Sequence, residues 1–184
     1  RLVKVPILGS IPKFTNHKME FSSLVVGDNP KSAIVEAIRS IRTNIDFLSF
    51  KKDTKVISVT STISGEGKTF VAINLGGVIS MSGKKVIILD LDLRKPKVHL
   101  GFAGENKAGM SDILIEKTSI DDCIQHSTLK NLDYISAGVI PPNPAELIMS
   151  PKFDEVLKSK SLGSPAPSSL ISMTHSLLCR SMLM

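Results

Sequence analysis

Residues 58–70 read SVTSTISGEGKTF. They continue a β-branched run, KVISVT at 55–60, which reads as a strand. The segment 68–81, KTFVAINLGGVISM, reads as a helix. Small residues and two glycines between a strand and a helix suit a phosphate-binding loop. Gly65 and Gly67 let backbone N–H groups turn inward around phosphate oxygens. The positive end of the following helix points at the same place. The pattern GxxxxGK[ST] is met by Gly67, Lys68 and Thr69, with Thr62 at the first glycine position. Ser64, Gly65, Glu66, Gly67, Lys68, Thr69 and Phe70 are therefore expected to bind nucleotide, ATP with Mg²⁺. Lys68 would reach the β- and γ-phosphates and the Thr69 hydroxyl would ligate the metal.

Working outward, a second apolar strand is expected at 84–92, KKVIILDLD, ending in Asp90 and Asp92. At strand spacing both carboxylates point to one side. Ligands of a parallel sheet gather at the carboxyl ends of its strands. Asp90 and Asp92 are therefore expected beside the loop, as metal-site and catalytic carboxylates. Arg94 and Lys95 add positive charge for phosphoryl oxygens or a partner.

The remaining chain fits an α/β fold of the P-loop NTPase type, a mostly parallel sheet with helices on both faces. Ile34, Ile38, Ile41, Ile45 and Leu48 form one apolar stripe, which predicts a helix over 30–49. LDYISAG at 132–138 resembles a third strand. Residues 1–29 read as a linker or lead-in segment, 30–158 as the P-loop domain and 159–184 as an atypical tail. That tail holds eight serines and no acidic residue, and is expected to be disordered or non-native.

Composition narrows the function. The net charge of +6 is mild. With no Trp and one Tyr, an aromatic platform for nucleic acid is not expected. Cys123 and Cys179 show no CxxC, which argues for a reducing compartment and against structural zinc. His99, His126 and His175 are scattered and are not expected to bind metal. No apolar run is long enough to span a membrane, and no signal peptide is visible. The first residue is Arg1, so the chain reads as a piece of something longer.

SGEGKT and IILDLDLR together resemble the bacterial tyrosine kinases, whose motifs are a P-loop and an apolar triplet followed by DxDxR. The ExxRxxR pattern of Glu36, Arg39 and Arg42 is similar to that family's oligomerisation motif, and GVIPPNPAEL at 138–147 to its AGxxPPNPxEL segment. The likeness runs from about residue 3 to residue 158. It implies ATP·Mg²⁺-dependent tyrosine autophosphorylation that regulates capsule and exopolysaccharide chain length and export. Lys68, Asp90, Asp92 and Arg94 would be catalytic, and Thr69, Asp90 and Asp92 would hold the metal. One aspartate would activate the acceptor tyrosine and the other organise Mg²⁺, in either order. The resemblance also implies a homo-oligomeric ring, a membrane-embedded chain-length regulator, a tyrosine phosphatase, and a place at the cytoplasmic face of the bacterial inner membrane. The basic Arg1, Lys4, Lys13 and Lys18 would lie near that membrane.

The sequence departs from the family after residue 158. The family's third motif, an apolar triplet followed by DxxP, does not occur. The expectation is a coding frame that slips near Ser159, leaving out a metal-site carboxylate, an inner strand and the substrate tyrosines. Two other readings follow. One is a catalytically dead assembly module that uses nucleotide as a switch. The other is a partition- or septum-site ATPase, although Ile63 stands where those carry an early lysine.

Overall fold

The computed structural model describes residues 6–13, 24–48, 55–158 and 169–175. Its strands are β1 (Lys55–Ser61), β2 (Val86–Asp90), β3 (Gln125–His126), β4 (Leu132–Ile135) and β5 (Ser169–His175). They form one sheet in the order β1-β5-β2-β4-β3. β1, β5, β2 and β4 run parallel, and β3 is an antiparallel edge strand on β4. Parallel neighbours require crossovers, and the helices supply them. These are α1 (Val25–Asp28), α2 (Ala33–Leu48), α3 (Lys68–Met81), α4 (Val98–Gly101), α5 (Met110–Leu114), α6 (Ile120–Cys123), α7 (Pro144–Ile148) and α8 (Pro151–Lys158).

Strand alternation divides the core in two. Val86 and Ile88 of β2 join Ile73, Val78 and Ile79 of α3 and Ile34, Val35 and Ile38 of α2. Ile87 and Leu89 face the opposite way, onto Met110, Ile113, Phe153 and Val156 of α5 and α8. The sheet is thus covered on both faces, as a parallel sheet must be. Gly76 lets α3 lie close to it. A Cβ there would sit 2.9 Å from Ile88 Cδ1 and 3.3 Å from Leu132 Cδ1.

Two expectations need correction. The supposed linker contains α1, whose Val25 and Val26 are buried with Leu24. Asn74 of α3 holds it there: its Oδ1 accepts from the Val25 amide at 2.8 Å and the Val26 amide at 3.2 Å. The second correction is larger. The tail supplies β5, an inner strand hydrogen-bonded to β1 on one side and β2 on the other. A slot between two parallel strands leaves two rows of backbone groups to satisfy. Ser169–His175 fills it, and Ile171 is fully buried there. The polar composition of the whole tail obscures this short run.

The predicted stripe of α2 is only partly submerged. Ile34 and Ile38 are buried, Ile45 packs at the core's edge and Leu48 is exposed. Before it, residues 6–13 form no regular element. Asn44 Nδ2 donates to the Leu8 carbonyl at 2.7 Å and ties this segment to α2. Arg1, Lys4, Lys18, Cys179 and tail residues 159–168 and 176–184 lie outside the described residues.

Candidate active site

The loop between β1 and α3 arises from two backbone choices. Gly65 has φ +91° and Gly67 φ +93°, in the left-handed region that side chains disfavour. A Cβ at either glycine would meet nothing within 4 Å, so the constraint is conformational. α3 starts at Lys68, immediately after Gly67, and the Val71 amide closes its first turn on the Gly67 carbonyl at 2.9 Å. The free amides of that turn therefore face the loop's interior. Lys68 is largely buried, and its Nζ donates to Ser61 Oγ at 3.1 Å. Ser61 Oγ in turn donates to the Ile63 carbonyl at 2.9 Å.

The segment after β2 folds on two carboxylates. Asp90 is 1% exposed. Its Oδ1 accepts from the Asp92 amide at 3.1 Å, and its Oδ2 from the amides of Lys97 (3.2 Å) and Val98 (3.1 Å). Asp92 Oδ1 accepts from the Lys95 amide at 3.2 Å. Burial pushes the Asp90 carboxyl up to about 7, helped by the Asp92 charge and opposed by the three amides.

These two segments enclose a cleft of about 120 Å³ lined by Ser64, Gly65, Gly67, Lys68, Thr69, Asp92, Lys95 and Lys97. The structure thus brings most of the predicted loop residues to one place, and it separates the two aspartates. Asp92 lines the cleft, whereas Asp90 is engaged in holding the loop. Glu66 turns back, accepting from the Ile63 amide at 3.1 Å, and Phe70 packs against the core. Arg94 is exposed and outside the lining. Lys97 escaped the sequence reading. Its signal was the spacing KPK, two lysines flanking a proline after the acid pair.

Other predicted residues lie elsewhere. Glu36 and Arg39 form an ion pair within α2, and Arg42 pairs with Asp46 at 2.9 Å. The 138–147 segment follows β4, the neighbour of β2. Asn106 grips its first residue, with Oδ1 accepting from the Gly138 amide at 2.8 Å and Nδ2 donating to the Gly138 carbonyl at 2.9 Å. None of that segment lines the cleft. His99 has a buried, unpartnered Nδ1, and His126 pairs with Asp133 at 2.7 Å. No cluster of three or more metal-ligating side chains occurs among the described residues. Cys123 is free, and burial raises its thiol pKa.

The profile of the AAA-domain family matches residues 54–160, from β1 to just past α8. The chain is 44% identical over 128 residues to tyrosine-protein kinase YwqD of Bacillus subtilis, covering 70% of this chain and 54% of YwqD. The solved kinase domain of Escherichia coli tyrosine kinase ETK superposes with a TM-score of 0.83 at 29% identity. That match covers 96% of this chain and 72% of the ETK domain. This chain belongs to the bacterial tyrosine kinases. It spans about half the length of YwqD. The septum site-determining protein MinD of Pyrococcus horikoshii, solved with Mg-ADP, is less similar. Its TM-score is 0.53 at 25% identity, over 65% of this chain and 48% of that one. The family match stops at residue 160, whereas the structural likeness to the ETK domain covers 96% of this chain.

Proposed function

We propose that the chain is the nucleotide-binding part of an ATP-dependent protein-tyrosine kinase that autophosphorylates to regulate capsule or exopolysaccharide chain length and export. The observation that carries this is the junction of the phosphate loop with the DLDLRKPK segment in one cationic cleft. The residues fit a magnesium nucleotide. The open cradle at Gly65 and Gly67, the first amides of α3 and the Lys68 ammonium suit phosphate oxygens. Thr69 and Asp92 are the oxygen ligands offered to Mg²⁺. When bound, ATP supplies the phosphoryl group. Lys68 neutralises phosphate charge, Asp92 orients the metal or takes the acceptor's proton, and Asp90 fixes the segment that carries Asp92, Lys95 and Lys97.

The family likeness supports work at the cytoplasmic face of a bacterial membrane, in a ring joined through α2, beside a chain-length regulator and opposed by a phosphatase. No helix among the described residues is long and apolar enough to cross a membrane, so anchoring would come from another segment or protein. One observation favours a second reading, an assembly module that binds nucleotide without transferring phosphate. β5 ends next to β1 and β2 but carries no carboxylate in SLISMTH.

Calorimetry with Mg²⁺ and ATP, on the chain and on Lys68→Met, tests the nucleotide site. Binding by the chain that vanishes in the variant is expected; equal binding by both would refute the assignment. Phosphate transfer to a tyrosine polypeptide supplied in trans separates kinase from assembly module.

A further inference from the structure

Lys95 and Lys97 line the same cleft as the phosphate loop, and come from the segment that also carries Asp92. No carboxylate among the described residues forms an ion pair with either lysine. Both are placed by the backbone. The Lys97 amide is bound by Asp90 Oδ2 and the Lys95 amide by Asp92 Oδ1. Pro96 between them restricts φ. Val98, next in the chain, is fully buried in the core beside α3. The fold therefore commits a buried carboxylate, a proline and a core valine to presenting Lys97 at this cleft. With Lys68, three lysines face a single aspartate there. Such an excess of unpaired positive charge in one cleft fits a polyanion.

We propose that Lys97 is a specificity-determining residue that contacts the terminal phosphate of a bound nucleoside triphosphate, so that the site distinguishes triphosphate from diphosphate. This rests on the nucleotide-binding reading above. The amides at Gly65 and Gly67 and the start of α3 serve the phosphates seated in the loop. The segment that brings Asp92, Lys95 and Lys97 to the same cleft is left to meet the outermost one. A charge-assisted contact of this kind is worth about tenfold or more in affinity.

The test is calorimetry in Mg²⁺ with a non-hydrolysable ATP analogue and with ADP, on the chain, Lys97→Met and Lys97→Arg. Lys130→Met, an exposed lysine at the amino end of β4, controls for net charge. Thermal midpoints verify folding. Lys97→Met is expected to lose about tenfold for the triphosphate analogue and less than about threefold for ADP. Lys97→Arg restores most of the loss, and Lys130→Met matches the unmodified chain. Equal loss for both nucleotides, or no loss for either, would overturn the proposal. An unchanged nucleotide affinity with a raised KM for an acidic tyrosine peptide would assign Lys97 to the acceptor instead. An unmodified chain that binds neither nucleotide would overturn the underlying reading as well.

Discussion

Asp90 shows how one residue can resist a sequence argument. Strand periodicity places Asp90 and Asp92 on one side, but β2 ends at Asp90, so the period no longer applies two residues later. The chain turns, Asp92 reaches the cleft, and Asp90 stays beneath the loop. The consequence is testable by pH. The Asp90 carboxyl sits at about 7 against an ordinary 3.8, chiefly through burial. Between those values the folded chain keeps a proton that the unfolded chain has released. Stability therefore falls as pH rises through this window and levels off above about 7. The full effect is on the order of a few kcal/mol. Thermal midpoints of the ligand-free chain from pH 4 to 8 should decline, and Asp90→Asn should remove most of that decline. Parallel curves for the two proteins would show that Asp90 does not titrate in this range. The turn at Gly65 and Gly67 and the helix that starts at Lys68, by contrast, are legible, because they depend on local backbone freedom and sequence spacing alone.

Among elements, α3 was read to its boundaries because a glycine turn starts it and an SG pair ends it. β5 was not, because a strand lying between two others needs only a few apolar residues and takes its order from its neighbours. Ile171 carries that dependence. It is fully buried, within van der Waals reach of the space beside Gly76. Ile171→Ala should cost about 2–5 kcal/mol in urea unfolding; a loss under about 0.5 kcal/mol would mean that β5 is marginal to the fold. α2 makes the opposite case. Glu36, Arg39 and Arg42 form partly exposed pairs along one helix, worth a few tenths of a kcal/mol each. Replacing all three by Ala should change stability by less than about 1 kcal/mol. If α2 is the ring contact, sedimentation should show self-association lost. Association unchanged by the triple substitution would move the contact to another surface.

For the whole molecule, the position of its one tyrosine decides what the chain can modify. Tyr134 is 2% exposed. Its ring stacks on Phe102 with centroids 4.4 Å apart, and its hydroxyl donates to Gln125 Oε1 at 3.0 Å. Burial raises its pKa, which disfavours the phenolate. It also lies within the sheet, in β4, so exposing it to a phosphate donor would mean unpairing that strand from β2. The acceptor tyrosine of the proposed reaction must therefore come from outside these 184 residues. Incubated alone with γ-labelled ATP and Mg²⁺, the chain should incorporate no phosphotyrosine. With a tyrosine polypeptide added, label should appear on the polypeptide alone. Tyr134→Phe should leave that transfer unchanged while costing about 1 kcal/mol of stability through the lost hydrogen bond. Label on Tyr134 itself would require β4 to open under native conditions, and would contradict the packing that makes this tyrosine part of the core.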